Sequence, residues 1–262
     1  MVDGNKLKEM VKDKYAEIAV ASNRKSCCGS GEESGYEILK DEYSGLDGYV
    51  KEADLKLGCG IPTELAQIKF GDTVVDLGSG AGNDVFIARA ITGEQGKVIG
   101  LDFTEEMIKK AIKNNAKLGY HNIEFKLGEI ENMPLDNEIA DVVISNCVLN
   151  LVPDKRKAFS EIHRILKPGA HFCVSDIVIK GNMNEEFKKS ASLYAGCVSG
   201  AIDQDEYLNI IKDTGFKDIE IKRIQSIPLP DSLLEKHFSS EEILSFSNNV
   251  QGMFSITVSA KK

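Results

Sequence analysis

The sequence lacks the features that carry a protein into or across a membrane. It contains no run of about 18 apolar residues, so we expect no transmembrane helix. Its first twenty residues mix lysines with acids and hold no apolar stretch of the kind found in secretory signals. We therefore expect a cytoplasmic protein with no membrane partner.

The sequence also lacks an excess of positive charge. Its 41 Asp and Glu residues outnumber its 32 Lys and Arg residues, which gives a formal net charge of −9. Nucleic-acid backbones and anionic membrane surfaces call for a basic patch, so we expect neither as a partner. The balance favours a small-molecule substrate, and we expect a monomer.

Two common catalytic and metal-binding patterns are missing as well. The four histidines form no obvious pair with an acid that would indicate a general base. The six cysteines include no Cys-x-x-Cys spacing, which argues against a zinc ribbon or a thioredoxin motif. In a cytoplasmic protein these six residues would be reduced thiols, and so many thiols require a chemical explanation.

From residue 71 onward the sequence alternates strands with helices. Apolar runs predict strands at 73–77, 98–103, 123–127, 140–145 and 170–179, with helices at 84–91, 105–118 and 155–166. Such alternation predicts an α/β fold, a doubly wound, mostly parallel Rossmann-like sheet with helices on both faces. Outside it we expect helices at 1–20, 46–57, 62–68, 185–194, 203–214 and after Ser239, and strands at 217–227 and 253–260.

This pattern divides the chain into three regions. Residues 1–62 would form an N-terminal helix and a cysteine-bearing lid segment, within which 21–48 reads as a loop. Residues 63–180 would be the cofactor-binding domain. Residues 181–262 would form a small α+β extension that completes the sheet and contributes to substrate binding.

A glycine-rich loop follows the first predicted strand, at residues 76–82 (Asp-Leu-Gly-Ser-Gly-Ala-Gly). Glycines there let the backbone turn sharply and approach a ligand, so we expect Gly78, Ser79 and Gly80 to contact a cofactor. Asp102 ends the second strand, where it can accept hydrogen bonds from two ribose hydroxyls. The sequence therefore predicts a nucleotide-like cofactor at this loop.

Two cofactors compete for that loop, NAD and S-adenosylmethionine (AdoMet). A dehydrogenase loop would place its third glycine at position 83, which is Asn83 here. Asp76 at the entry of the loop would repel a pyrophosphate, whereas AdoMet has no phosphate and carries an ammonium group that an acid can hold. Both observations favour AdoMet.

The ends of the third and fourth strands should complete the pocket, because ligands bind outside the carboxyl ends of parallel strands. Ile130 could pack against the adenine and Glu131 could accept a hydrogen bond from its amine, although an ordinary surface turn is an equal alternative. Asn146 and Cys147 follow the fourth strand and should face the methyl group.

Three cysteines stand out once the methyl group is placed. Cys59 and Cys197 are next to glycines, and Cys147 is beside the predicted methyl position. Each alone is more often a small buried apolar residue than a ligand. Thiolates bind soft centres, and zinc usually takes four ligands in close pairs, a spacing absent here. Trivalent arsenic takes three thiolates and keeps a lone pair that can attack a sulfonium methyl without a general base.

On these motifs the sequence resembles the arsenite methyltransferases. The resemblance runs from about Cys27 to Gly200 and is most specific at 58–62 (Gly-Cys-Gly-Ile-Pro), 76–82, 145–151 (Ser-Asn-Cys-Val-Leu-Asn-Leu) and 195–197 (Ala-Gly-Cys). It departs after Gly200, where longer members carry a cysteine-rich tail. That departure bears on how many methyl groups are added.

The resemblance implies roles for individual residues. Cys59, Cys147 and Cys197 would bind arsenic, and Cys27 or Cys28 would form a disulfide with Cys59 during turnover. The resemblance further implies that Asp102 and Phe103 hold the ribose and adenine of the donor, that Ile130 and Glu131 hold the adenine, and that Asn146 lies near the donor.

The predicted function is thus AdoMet-dependent methylation of arsenite, or its thiol conjugate, in arsenic detoxification. A thioredoxin- or glutathione-type reductant would reset the disulfide. Two alternatives remain open: a carbon, oxygen or nitrogen methyltransferase acting on a small lipid-like acceptor, and a metalloid-binding module without catalysis.

Overall fold

A computed structural model of the chain describes residues 4–20, 43–181, 183, 187 and 200–262. Its centre is one seven-stranded sheet in the order β3-β2-β1-β4-β5-β7-β6. In chain order the strands are β1 (Thr73–Leu77), β2 (Lys97–Asp102), β3 (Ile123–Leu127), β4 (Ala140–Asn146), β5 (Leu166–Lys180), β6 (Lys217–Ser226) and β7 (Gly252–Lys261).

Helices connect these strands. The described helices are α1 (Gly4–Val20), α2 (Pro62–Leu65), α3 (Asn83–Thr92), α4 (Glu105–Leu118), α5 (Lys155–Ile165), α6 (Gln204–Asp213), α7 (Asp231–His237) and α8 (Ser240–Ser247). One core cluster packs α5 and α6 against the sheet, and another packs α3 against it. Because these clusters are separate, the sheet is covered on both faces.

The first five strands pair in parallel, and β7 inserts antiparallel between β5 and β6. The predicted doubly wound, mostly parallel Rossmann-like sheet is therefore confirmed. The interior strands β1 and β4 are buried along almost their whole length, as expected for strands between two helical layers.

The prediction of a helix at 46–57 was wrong. The segment forms a series of turns instead, in which the Val50 carbonyl accepts from the amides of Ala53 and Asp54. Gly48 has φ +86°, outside the helical range, and packs against the carbonyl of Phe86 on α3. The close approach to α3 thus replaces local helix formation.

Two other differences are the start of β5 and one additional helix. β5 begins at Leu166, before the Lys-Pro-Gly sequence expected to precede it, because Leu166 pairs with Ala140 across a bulge. Helix α7 was not predicted. The expected helix at 185–194 lies outside the described residues, except for residue 187. None of the described helices is long and apolar enough to span a membrane.

The strand order indicates the edge of the sheet at which a ligand would bind. The chain winds outward from β1 to β3 on one side and from β4 on the other, so the order reverses between β1 and β4. In open α/β sheets this reversal leaves a crevice at the carboxyl ends of the strands, where ligands bind. The loops after β1, β2, β3 and β4 meet there.

Candidate active site

A cavity of about 730 Å³ opens at this edge. Its volume lies within the usual range for small-molecule sites. Cys147 lines it, together with all nine residues expected to bind the donor: Asp76, Gly78, Ser79, Gly80, Asp102, Phe103, Ile130, Glu131 and Asn146. Segments far apart in sequence therefore converge on one space.

The glycine loop forms the floor of the cavity. The amides of Gly78 and Ser79 donate to the carbonyl of Leu101 at 2.8 and 2.9 Å, which anchors the loop to β2. Gly78 has φ +72°, and a side chain at this position would overlap Val148. The hydroxyl of Ser79 is buried and has no hydrogen-bond partner among the described residues, as expected of a group that awaits a ligand.

Asp102 fixes the shape of the loop. Its carboxylate accepts from the Gly80 amide at 3.0 Å and from the Thr104 amide at 2.8 Å. Burial raises the pKa of Asp102, and these two amides lower it in part. Asp102 therefore fixes the conformation of the glycine loop and also faces the cavity.

Three buried carboxylates share this cavity. Burial, together with the charges of Asp84 and Asp102, raises the pKa of Asp76 well above its ordinary value. Burial raises the pKa of Asp84 to about 6, although hydrogen bonds from Asn146 and Tyr43 oppose the shift. Buried like charges are costly, so a cationic ligand would be stabilised between them.

The far end of the cavity is closed by α1. Lys8 on this helix forms ion pairs with Glu129, at 2.7 Å, and with Glu131. Glu131 is buried and also accepts from the amide of Asp154 at 3.1 Å. Ile130 is buried beside it. The end of β3 is therefore a structured wall of the cavity and not an ordinary surface turn.

Asn146 joins the cavity to the loop that contains Cys59. Its side-chain oxygen accepts from the Cys59 amide at 3.0 Å, and its nitrogen donates to the Gly60 carbonyl at 2.7 Å and to the Tyr43 hydroxyl at 2.6 Å. A side chain at Gly58 would overlap the amide of Asn146. The Gly-Cys-Gly sequence thus allows the loop to lie directly on this side chain.

Cys59 and Cys147 are buried in one cluster of apolar residues that includes Ile177 and Met253. The Cys59 backbone is held at both ends, since its carbonyl also accepts from the Ser255 hydroxyl. Cys147 has φ +62°, a strained conformation for a residue with a side chain. Its amide donates to the backbone carbonyl of Ser175 at 2.7 Å. The structure therefore places two of the three cysteines predicted to bind arsenic in the same apolar cluster.

A buried acid–phenol pair lies behind this cluster. The Tyr207 hydroxyl donates to Asp176 at 2.8 Å. Burial raises the pKa of Asp176 to about 7, which the Tyr207 hydroxyl and the Lys155 charge partly oppose. Burial, followed by the Asp176 charge, raises the pKa of Tyr207, and charge on either Cys59 or Cys147 would raise it further.

The remaining cysteines differ in what the structure says of them. Cys27, Cys28 and Cys197 lie outside the described residues. Cys173 is fully buried in β5, where burial raises its thiol pKa to about 12, in agreement with its predicted place in the core. Within the described parts of the chain, no three His, Cys, Asp or Glu side chains are arranged to hold a metal ion.

Sequence reasoning missed three residues of the site: Tyr43, Asp84 and Lys8. Asp84 opens α3 two residues after the glycine loop, a position that could have drawn attention to it. Tyr43 falls in a segment read as loop, and Lys8 is one lysine among several on a charged helix. Only the tertiary contacts distinguish these last two.

Comparison with known proteins matches residues 68–215 to a family model described as a methyltransferase domain. An arsenite methyltransferase of Halobacterium salinarum is 40% identical over 234 residues, covering 84% of this chain and 59% of that protein. An arsenite methyltransferase of Aquipseudomonas alcaligenes is 34% identical over 187 residues, covering 68% of this chain and 53% of that protein. The chain thus spans less than two thirds of these curated relatives.

One solved structure shares both the fold and substantial sequence. It is an arsenic(III) S-adenosylmethionine methyltransferase from Chlamydomonas reinhardtii, which is 30% identical with a TM-score of 0.65. The match covers 89% of this chain and 75% of that one.

Proposed function

The chain belongs to the arsenite methyltransferase family, and we propose that it transfers a methyl group from AdoMet to trivalent arsenic held by Cys59, Cys147 and Cys197. The observation that carries this proposal is the burial of two thiols in one apolar cluster at the edge of the donor cavity. In the family, arsenite methylation is AdoMet-dependent. The acceptor and its ligands are the proposed part.

The residues of the cavity fit AdoMet. The orphaned hydroxyl of Ser79 and the close packing at Gly78 leave a polar cradle at the loop. The carboxylates of Asp76, Asp84 and Asp102 suit a ligand that carries sulfonium and ammonium charges but no phosphate. When bound, AdoMet supplies a methyl group activated by the sulfonium.

The acceptor side suits a thiophilic atom. Cys59 and Cys147 are 3% exposed, and both belong to the same apolar cluster. Cys197 is three residues before Gly200, which packs tightly against the carbonyl of Asn150. Cys197 itself lies outside the described residues, and its place as the third arsenic ligand is part of the proposal.

In the proposed reaction, arsenite arrives as a thiol conjugate and exchanges its thiols for the three protein thiols. The arsenic lone pair then attacks the methyl carbon, the carbon–sulfur bond of the donor breaks, and its electron pair stays on that sulfur. No proton is removed from the acceptor, so no general base is required. The protein contributes positioning, which can account for a large share of the rate.

Methyl transfer leaves arsenic pentavalent, and two electrons must return it to the trivalent state. We propose that Cys59 and either Cys27 or Cys28 supply them by forming a disulfide. A thioredoxin- or glutathione-type thiol would then reduce that disulfide. This cycle requires a reducing compartment, so we assign the enzyme to the cytoplasm. We assign its role to arsenic detoxification because its proposed substrate is arsenite.

The test is to incubate the protein with AdoMet, a thiol and arsenite and to separate the arsenic species by chromatography. We expect methylated arsenic from wild type, and none from C59S, C147S or C197S even though each still binds S-adenosylhomocysteine. C173A is the matched control, because Cys173 lies in the core away from the cavity. The double variant C27S/C28S should complete one turnover and then stop.

Three results would contradict the proposal. Wild type that forms no methylated arsenic under reducing conditions is not an arsenite methyltransferase. A C59S or C197S variant that still transfers methyl groups to a lipid-like acceptor would favour a methyltransferase acting on carbon, oxygen or nitrogen. Arsenite binding without consumption of AdoMet would indicate a non-catalytic metalloid-binding module.

A further inference from the structure

Three polar side chains connect the donor cavity to the loop of Cys59. The Tyr43 hydroxyl lies 3.2 Å from both carboxylate oxygens of Asp84 and 2.6 Å from the amide nitrogen of Asn146. Asp84 opens α3 directly after the glycine loop, and Asn146 ends β4. We call Asp84, Tyr43 and Asn146 the polar bridge.

Hydrogen-bond chemistry orders the polar bridge. The Asn146 nitrogen has two hydrogens and faces three acceptors: the Tyr43 oxygen, the Gly60 carbonyl and, at 3.3 Å, the Asp84 carboxylate. The Tyr43 hydroxyl in turn has two acceptors within reach, the Gly60 carbonyl at 2.9 Å and the Asp84 carboxylate at 3.2 Å. With the nitrogen so committed, the Asn146 oxygen is turned toward the Cys59 amide at 3.0 Å. The orientation of one amide therefore links Asp84 to the backbone of Cys59.

The polar bridge lies in the wall of the donor cavity. Asp84, Tyr43 and Asn146 all line the donor cavity, together with Gly58 and Gly60 on either side of Cys59. Tyr43 and Asp84 are each 8% exposed, so few water molecules compete for these hydrogen bonds. AdoMet in the cavity would contact the same side chains that hold the loop containing Cys59.

We propose that the polar bridge couples the two substrates, so that a ligand in the donor cavity strengthens arsenite binding at Cys59 and its partner thiols. This inference rests on the proposed function. Tyr43 is a positioning residue, because it acts on the thiol through Asn146 and the Gly60 carbonyl. Coupling of this kind is reciprocal, so arsenite should strengthen donor binding by the same factor. Typical couplings between sites amount to about 5- to 150-fold in affinity.

The experiment measures arsenite binding by titration calorimetry, in the presence of a fixed thiol concentration, with and without saturating S-adenosylhomocysteine. In wild type we expect the arsenite Kd to fall at least about fivefold when S-adenosylhomocysteine is present. In Y43F the ring packing is kept and the hydroxyl is lost, so this factor should approach one. A purely structural role for Tyr43 would weaken arsenite binding equally in both conditions.

Two further variants complete the design. Y120F is the control, since Tyr120 stacks on Arg89 away from the cavity, and it should keep the wild-type factor. D84N preserves the shape of the acid but removes its charge, and it should also reduce the factor. It provides a second test if Y43F does not fold.

The outcomes separate this inference from the proposed function. If wild type methylates arsenite but its arsenite affinity is unchanged by S-adenosylhomocysteine, the coupling is refuted and the function stands. A wild-type factor that persists in both Y43F and D84N also refutes the polar bridge. If wild type binds no arsenite, both proposals fail.

Discussion

Replacing Asp176 with Asn should make the stability of the protein less sensitive to pH. Burial raises the pKa of Asp176 from an ordinary value of 3.8 to about 7 in the folded protein. Between those two values the unfolded chain releases a proton that the folded protein keeps. The unfolded state therefore gains stability as the pH rises, and the free energy of unfolding falls until about pH 7, above which it levels off.

The size of this effect follows from the two pKa values. Between about pH 5 and pH 8, linkage gives a loss of about 2–3 kcal/mol in the free energy of unfolding from this one carboxyl. D176N removes that loss. Its amide oxygen can still accept from Tyr207, while its nitrogen replaces an oxygen that has no hydrogen-bond partner among the described residues. The unpaired nitrogen costs about 1–3 kcal/mol at every pH and does not alter the slope.

Urea unfolding at the two pH values measures the effect directly. The free energy of unfolding of wild type should drop between pH 5 and pH 8 by about 2–3 kcal/mol more than that of D176N. Other buried acids, such as Asp76 and Asp84, contribute equally to both proteins and cancel. D213N, which removes an exposed carboxylate paired with Arg156, should behave as wild type. Equal drops in wild type and D176N would refute the reasoning.

Two further predictions concern the site. G58A should lower the rate of arsenite methylation at least about tenfold while donor binding stays near wild type, because the new methyl group would displace Asn146. G45A is the control, since its side chain would meet open space. Equal rates of methylation by G58A and G45A would contradict this account. D102A should weaken S-adenosylhomocysteine binding about 10- to 100-fold in calorimetry, because the amides of Gly80 and Thr104 lose their acceptor. E105A, on the exposed first turn of α4, is the control and should bind S-adenosylhomocysteine as wild type does. An unchanged Kd for D102A would contradict this prediction.

The sheet could be predicted from sequence because its signals are local. The strands β1 and β3 and the helix α4 have the predicted bounds, since apolar runs and a following glycine mark their ends. The segment at 46–57 has helical composition, but contact with α3 decides its structure. The start of β5 depends on pairing with Ala140 across the sheet. Neither contact leaves a mark in the local pattern.

The same distinction applies to the site. The donor loop is contiguous, so its residues could be named from one motif, and Asn146 followed from the end of a predicted strand. What Asn146 does could not be predicted, because its partners at Tyr43 and Cys59 come from other segments. Lys8 was likewise hidden, since its importance lies in the ion pairs with Glu129 and Glu131.

The surroundings of the thiols bear on which atom they bind. Cys59 and Cys147 are buried among apolar side chains, while the carboxylates gather on the donor side. Three thiolates on trivalent arsenic form a neutral complex, whereas three thiolates on a divalent metal leave a net negative charge. Burying an uncompensated charge costs several kcal/mol, but burying a neutral centre of similar size does not. With Cys197 as the proposed third ligand, the apolar cluster favours trivalent arsenic over zinc on electrostatic grounds.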